Sequence, residues 1–389
     1  MDTSPTNCKL NNPAAPVIGL SFFAIASGFL MSLIPLSLAN FKLDSALVPW
    51  LASVFYLGLL IGATTIERIV AKTGHRIAFI LFLCLLILSV ATMLVVPTAS
   101  IWLVARFIAG IAVAGVFVVV ESWLLMADTP KARAKRLGLY MMALYGGSAC
   151  GQLAIGPLGT EGTTPYLFAI SLLGLAILAP LLITSGQPER QQQQKLALKE
   201  LKTLSRPAIL GCLVSGLLLG PIYGLMPVYI ASQADYADQT GLLMACIIIG
   251  GMLVQPLVSY LSTRMSKSLL MAMFCLLGTL SVLGILKSSS FNMMALSYLL
   301  LGACSFALYP IAITLACDLL PAAKIVSATE LMLLSYSIGS VLGPILAVKL
   351  SDASDNIIFY LGGCLLTTSI YMLIKSSERI SAGQTPVAG

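Results

Sequence analysis

Two side chains of opposite charge lie in one of the most apolar stretches of the chain. Segment 104–125 reads VARFIAGIAVAGVFVVVESWLL and contains Arg106 and Glu121. In a helix, this separation gives about 60° of rotation and about 22 Å of rise, so the two side chains share a face but cannot touch. A charge at the centre of a bilayer helix costs about 2.5–3.5 kcal/mol. We therefore expect this face to look into a helix bundle or a water-filled cavity.

The two charges suggest anion binding and proton transfer. Arg106 is predicted to bind an anionic or polar group of a solute, or to respond to a nearby proton site. Glu121 is a candidate proton carrier, because a partly dehydrated carboxylate can take up and release protons. In the structural alternative, Arg106 bonds to backbone carbonyls at a kink and Glu121 extends towards a cytoplasmic lysine. The sequence leaves both interpretations open.

Other polar and aromatic side chains in apolar segments could line the same pathway. Glu330 is a second candidate proton carrier, although its position near Lys324 also allows its carboxylate to turn towards water. Tyr and Gln side chains can hydrogen-bond a solute, but they also join helices to one another. The candidate solute ligands are Arg106, Gly110, Phe117, Tyr145, Gln152, Tyr223, Gln255, Tyr309 and Tyr336.

Motifs for other kinds of chemistry are missing from the sequence. It contains no G-x-x-x-x-G-K-[ST] phosphate-binding loop, and no two of its nine cysteines have C-x-x-C spacing. The cysteines fall mainly in apolar segments, where they behave as small hydrophobic residues. We therefore expect no cofactor and no metal site. No polar loop is large enough to hold an enzyme domain.

The composition predicts the elements that must position these residues. Hydrophobic residues make up 58% of the 389 residues and charged residues 10%, whereas soluble domains have about a quarter charged residues. Because about 20 apolar residues cross a bilayer as a helix, the sequence predicts an all-α membrane protein with twelve transmembrane helices. Their expected limits are 16–38, 46–66, 76–96, 100–126, 137–158, 165–185, 208–231, 240–262, 268–287, 292–317, 325–349 and 356–375.

Lysine and arginine are distributed unequally between the loops. Most lie in alternate loops, whereas the intervening loops hold only Lys42, Lys287 and Lys349. Because basic loops stay on the cytoplasmic side, we expect both termini to be cytoplasmic. This topology explains the formal charge of +7, which therefore does not indicate a nucleic-acid partner. The N-terminus lacks the basic region of a cleaved signal, so the first apolar run is expected to be a retained helix.

The two halves of the sequence repeat each other. A shift of 192 residues without a gap aligns glycines and prolines that set close helix contacts and kinks. The aligned pairs are Gly28 with Gly220, Pro35 with Pro227, Gly58 with Gly250, Gly110 with Gly302, Gly147 with Gly339, and Gly151 with Gly343. Arg106 and Glu121 instead align with Tyr298 and Ile313. The charges therefore belong to one half only.

The repeat predicts the domain organisation. We expect two pseudo-symmetric six-helix bundles, at residues 1–185 and 208–389, joined by a cytoplasmic linker at 186–207. Parallel repeats of this kind are typical of transporters that rock two bundles around a central site.

Several motifs resemble a known family. They are GATTIERIVAKTGHR at 62–76, RFIAG at 106–110, LGLYMMALYGGSACGQL at 137–153, LYPIAITLACDLLP at 308–321 and LLSYSIGSVLGP at 333–344. Together with the repeat, they resemble the major facilitator superfamily and, within it, the YcaD-like group of bacterial transporters. The resemblance places 62–76, with His75, in a cytoplasmic loop and implies a gating role for Gly62, Glu67, Arg68, Arg76 and Asp318.

The sequence departs from the family pattern at two points. Thr263 stands where the family usually has an aspartate, which puts the ion pairing expected there in doubt. Gln152 follows Gly151, where many drug exporters have a Gly-Pro kink. The second departure weakens the interpretation as an antiporter.

We therefore expect a secondary active transporter of a small organic solute, working by alternating access in the bacterial inner membrane. Arg106 favours an anionic or zwitterionic metabolite or chelator, and a proton gradient is the expected energy source. Direction remains open, so that symport is one interpretation and multidrug or metabolite efflux by proton antiport is the alternative. The hypothesis from a different functional class is a membrane protein that does not transport, such as a sensor or a scaffold. The expected partners are the solute, protons and the lipid bilayer, and the chain is expected to be monomeric.

Overall fold

The computed structural model describes residues 14–125, 130–183, 205–288, 290–318, 322–349 and 356–383. Over these ranges the chain is helical apart from short connections and contains no strand. In chain order the helices are α1 (Ala14–Leu36), α2 (Val48–Thr73), α3 (His75–Val95), α4 (Ala99–Leu125), the interrupted α5 (from Pro130 to Leu158), α6 (Thr164–Leu182), the two-part α7 (Arg206–Gly224 and Met226–Ser232), α8 (Thr240–Ser262), α9 (Lys267–Lys287), α10 (Phe291–Cys317), α11 (Ala322–Lys349) and α12 (Asn356–Gly383).

Among the described residues, eleven helices are long and apolar enough to cross a membrane. The remaining predicted span is α5, which consists of Pro130–Met141, a π-helical turn at Met142–Gly146, and the pieces Gly147–Leu153 and Ile155–Leu158. Pro157 has no N–H to donate to the carbonyl four residues earlier, which accounts for the break near Ala154. With α5 included, the described helices agree with the predicted twelve-helix fold.

The second predicted span, 46–66, agrees with the apolar segment Ser45–Ile66, but the helix is longer than this span. Helix α2 continues past residue 66 as far as Thr73, and Gly74 turns the chain with a φ of 82° directly into α3. A positive φ favours glycine, which commonly ends helices in this way. Most of segment 62–76, expected to be a loop, is therefore helical. Arg68 and Lys72 lie on a helical extension rather than in a flexible connection.

Close backbone contacts within each half follow the sequence repeat. A Cβ atom built on Gly58 of α2 would lie under 3.0 Å from the Phe107 backbone of α4, and one on Gly250 would approach the Leu299 backbone of α10 equally closely. Phe107 and Leu299 are themselves 192 residues apart. The same correspondence relates Gly28 and Ser148 to Gly220 and Ser340, Gly110 and Phe55 to Gly302 and Ile247, and Gly151 and Ile25 to Gly343 and Leu217. The repeat is thus a repeat of backbone contacts, consistent with two pseudo-symmetric bundles.

Helices of the two halves also pack against each other, α2 against α11 and α5 against α8. We call the membrane side that carries Lys72, Lys131 and Lys267 the basic side. The close approaches of Gly224 to Ala52 and of Gly241 to Gln152 lie towards the opposite side.

The described part of α5 also has exposed positions towards the basic side. A Cβ on Gly138 would meet nothing within 4 Å, and Met142 is 65% exposed. Within the described ranges, the close glycine contacts between the halves therefore lie on the side away from the basic loops.

Candidate functional site

Arg106 lies in the half of α4 that is farther from the basic side. Its side chain is partly buried, and its guanidinium carbon is 4.2 Å from the centroid of the Phe55 ring on α2. Its Nε atom is buried without a hydrogen-bond partner, and no carboxylate pairs with it within the described part of the chain. The backbone carbonyl acceptors proposed in the structural alternative are not found there either. A cation so placed retains strong unused capacity to bind an anion.

Aromatic side chains from both halves meet near the middle of the membrane. The ring of Phe306 on α10 makes edge-to-face contacts with Tyr145 of α5 at 5.7 Å and with Tyr223 of α7 at 5.8 Å between centroids. The ring centroids of Tyr309 and Tyr336 are 5.1 Å apart. Tyr56 of α2 is close enough to interact electrostatically with Tyr336 and Tyr223. We call these residues, Tyr56, Tyr145, Tyr223, Phe306, Tyr309 and Tyr336, the aromatic cluster.

The aromatic cluster connects the two charges that cannot touch. Tyr56 lies near Arg106 at one end, and Tyr309 lies near Glu121 at the other. Among the described residues, no hydrogen-bond partner is found for the hydroxyls of Tyr56, Tyr145, Tyr223 and Tyr309. The site is therefore a row of rings with unused hydroxyl groups between a cation and a carboxylate.

Glu121 lies on α4 near the basic side and is exposed. Tyr140 of α5 and Tyr309 of α10 lie near it, so it is close to elements of both halves. No described lysine or arginine forms an ion pair with it. Its carboxylate is thus available to water from the basic side.

Other predicted solute ligands have structural contacts. Gln152 is fully buried, accepts a hydrogen bond from the Ser32 hydroxyl at 2.6 Å and donates one to the Gly28 carbonyl at 2.7 Å. Its amide therefore joins α5 to α1. Gly110 is needed for the close approach of α4 to the backbone of Phe55.

Two further candidates remain partly buried. Phe117 packs edge-to-face against Phe23 of α1 at 5.8 Å. Gln255 donates to the carbonyl of Gly251 on its own helix at 3.0 Å, which leaves its amide oxygen unused. The structure brings neither side chain into the aromatic cluster.

The residues expected to form a gate are distributed along the basic side. Asp318 accepts a hydrogen bond from the Lys267 ammonium at 2.6 Å, which joins the end of α10 to the start of α9 within one half. Arg76 donates to the Leu181 carbonyl at 3.1 Å near the end of α6, and Arg68 is exposed.

Three more residues were predicted to act in gating or proton coupling: Gly62, Glu67 and Glu330. Gly62 packs against Ala114 of α4. The side chains of Glu67 and Glu330 lie outside the described part of the structure. Their predicted roles in gating and proton coupling stay predictions.

His75 was expected to be a loop residue, and this expectation was wrong. It is the first residue of α3, is 6% exposed, and its Nε2 atom lies 3.0 Å from the Ser122 hydroxyl. Because Ser122 donates to the Val118 carbonyl, its oxygen accepts from His75. The signal for this position was Gly74, which lets the new helix begin without a loop.

The sequence did not predict that Tyr56, Phe55 and Phe306 belong to the site. Each lies in an apolar run where an aromatic side chain carries no distinctive pattern. A usable signal was their absence from the other half: Tyr56 aligns with Ile248, and Phe306 with Ala114.

The fold and this site together define a polytopic helical transporter. The family description "Major Facilitator Superfamily" matches residues 17–344 and 236–388. The chain therefore belongs to the major facilitator superfamily, as the motifs predicted. This membership, rather than any missing motif, identifies the chain as a transporter and not an enzyme.

The chain is similar to YcaD-type relatives over nearly its whole length. It is 29% identical to the uncharacterized MFS-type transporter YcaD of Escherichia fergusonii, over 95% of this chain and 96% of the relative. It is 31% identical to the uncharacterized MFS-type transporter Ent638_1421 of Enterobacter sp. (strain 638), with the same coverage. The resemblance to the YcaD-like group is thereby confirmed, and it places this multi-pass protein in the bacterial inner membrane.

Solved transporters share the fold. The nucleoside transporter NupG, as a D323A mutant, superposes with a TM-score of 0.79 at 13% identity, covering 93% of this chain and 99% of that one. A bacterial homologue of the human lysosomal transporter Spinster, inward-facing and occupied, gives a TM-score of 0.71 at 14% identity, covering 96% and 97% of the two chains. At these identities the likeness concerns the fold alone.

Proposed function

We propose that this protein transports a small anionic or zwitterionic organic solute across the inner membrane by alternating access, driven by a proton gradient. The observation that carries the proposal is Arg106, a permanent cation within the membrane whose Nε atom has no acceptor and which has no carboxylate partner among the described residues. The fold does not require an arginine at this place in both halves, because the other half has Tyr298 at the equivalent position. A negatively charged group of the solute would supply the missing acceptors.

Alternating access is supported by where the halves touch. Over the described residues, the close glycine contacts between the halves lie away from the basic side. Under the proposed topology, with basic loops and both termini cytoplasmic, this is the arrangement of an inward-open carrier. The bundle limits 1–185 and 208–389, with the linker at 186–207, are part of the same proposal, as is a monomer as the working unit.

Proton coupling is assigned to Glu121. Its carboxylate is exposed towards the basic side and lies near Tyr309, which belongs to the aromatic cluster. Uptake of a proton there would remove a negative charge from the pathway along which an anionic solute leaves. Glu330 is retained as a second proton carrier.

The test is untargeted mass spectrometry of cells and medium. Strains would express the wild type, Arg106→Ala, Arg206→Ala or no transporter. Arg206 is the matched control, because it is an exposed arginine at the start of α7, outside the site. A negatively charged or zwitterionic solute that is redistributed by the wild type and Arg206→Ala, but not by Arg106→Ala, supports the proposal. Redistribution of only cationic or neutral solutes, unaffected by Arg106→Ala, would instead favour a multidrug exporter.

A further inference from the structure

We propose that the transported solute carries a planar aromatic ring beside its anionic group. The inference rests on the proposed function and narrows it, because it assigns the aromatic cluster as the subsite for the ring and Arg106 as the subsite for the anion. The two subsites adjoin at Phe55 and Tyr56, consecutive residues of α2: the Arg106 guanidinium lies over the Phe55 ring, and Tyr56 lies near it.

The spacing of the rings suits a further aromatic partner. Tyr145, Tyr223 and Phe306 form edge-to-face contacts at 5.7 and 5.8 Å, which lie in the range of about 4.5–7 Å preferred by aromatic pairs. Tyr145 and Phe306 come from different halves, so a change in how the halves meet would open a space lined by ring faces and edges. A planar ring bound in that space would give Tyr145 and Phe306 a new aromatic partner after they separate.

The cluster is not required by the fold. The close glycine contacts are repeated at 192 residues, but most of the rings are not: of the aromatic cluster, only Tyr309 has an aromatic counterpart, Phe117. Tyr145 aligns with Ser337, and Tyr223 with Met31; Phe306 aligns with Ala114. Serine, methionine and alanine thus fill the equivalent places in the other half, where the same helix contacts form without the rings.

The unused hydroxyls indicate where ring substituents would bind. Within the described residues, the hydroxyls of Tyr56, Tyr145 and Tyr223 have no hydrogen-bond partner. Each is both a donor and an acceptor. A ring that carries hydroxyl, amino or ring-nitrogen groups would pair with them, whereas a saturated hydrocarbon group would leave them unpaired.

The test compares anions that are matched in charge and carbon count. Binding of benzoate and 3-phenylpropionate to the purified full-length protein would be measured by calorimetry beside cyclohexanecarboxylate and 3-cyclohexylpropionate. Two aromatic contacts correspond to at least about a fivefold difference in affinity. We expect the aromatic member of at least one pair to bind at least about five times more tightly, and Phe306→Leu to reduce that ratio towards one.

The outcomes separate this inference from the proposed function. Equal binding of aromatic and aliphatic anions, abolished in Arg106→Ala, overturns the ring subsite but leaves anion transport supported. A preference for rings that Phe306→Leu leaves unchanged also overturns the assignment, as does the absence of binding by both aromatic anions. Preferential binding of aromatic anions that persists in Arg106→Ala contradicts the anion subsite, and with it the proposed function. Thermal unfolding of each variant shows whether it is folded.

Discussion

The guanidinium carbon of Arg106 on α4 lies over the ring of Phe55 on α2, 4.2 Å from the ring centroid. The ring stabilises part of the positive charge through its π face. It cannot accept the N–H bonds in their usual geometry, and the Nε atom has no other partner among the described residues. An anion that reaches Arg106 therefore gains hydrogen bonds without displacing any that the described structure makes.

The first prediction concerns this pair. Arg106→Lys keeps the charge but loses the planar guanidinium, which lies over the Phe55 ring and offers two parallel donors. Arg106→Ala removes both. Since hydrogen bonds to charged groups contribute about 1.5–3 kcal/mol, we expect Arg106→Ala to weaken anion binding by about tenfold or more, with Arg106→Lys between it and the wild type. Calorimetry with the anions described above measures the series. An Arg106→Ala protein that binds as tightly as the wild type would contradict it.

The second prediction separates structural from solute-binding polar groups. Gln152→Leu leaves the buried Ser32 hydroxyl without its acceptor, which costs about 1–3 kcal/mol of stability. Tyr223→Phe removes a hydroxyl that has no described partner, so its stability should be close to that of the wild type while solute binding weakens. Thermal unfolding and binding are measured on both variants. If Tyr223→Phe lowers stability as much as Gln152→Leu does, the hydroxyl has a structural partner and the prediction is wrong.

The third prediction concerns the repeated glycine contacts. Gly58→Ala and Gly250→Ala each place a methyl group under 3.0 Å from backbone atoms of the facing helix. We expect each to destabilise the protein by about 1–3 kcal/mol through overpacking. Gly174→Ala on α6 is the control, because a Cβ there meets nothing within 4 Å. It should be neutral or stabilising by about 0.4–1 kcal/mol. Similar melting temperatures for all three variants would refute the packing account.

The fourth prediction concerns proton coupling. Glu121→Gln keeps the shape of the side chain but cannot exchange a proton, so transport should lose its dependence on a pH gradient while binding of the solute persists. Glu161→Gln is the matched control, since Glu161 is exposed in a connection on the opposite side. Flux of the solute identified by mass spectrometry is measured in proteoliposomes with and without a gradient. Unchanged gradient dependence in Glu121→Gln would exclude this residue as the proton carrier.

The features that the sequence predicted depend either on residues close together in the chain or on a fixed spacing between residues. Apolar runs predicted the membrane helices, and the separation of Arg106 and Glu121 placed them on one face of a single helix. The 192-residue repeat predicted which glycines would correspond, because each equivalent contact recurs with the same offset in both halves.

What the sequence did not predict depends on partners that are distant in the chain. Gln152 was predicted to be a solute ligand. No local sequence pattern shows that its amide accepts a hydrogen bond from Ser32, which lies 120 residues away. Phe306 meets Tyr145, and Tyr56 approaches Tyr223 and Tyr336, only when the halves come together, and no periodicity marks these pairs. The π-helical turn at Met142–Gly146 inserts a change of register that an apolar run does not reveal.

The repeated glycine contacts divide the molecule into parts of unequal stiffness. Inside each half, backbone lies directly on backbone, and such contacts cannot be loosened by a change of rotamer. Across the middle, Tyr145 and Phe306 meet through side chains alone, and rings can swing about their χ angles. Each half is therefore stiff, and a change in how the halves meet must separate the close contacts of Gly224 with Ala52 and of Gly241 with Gln152 as well as rearrange the rings.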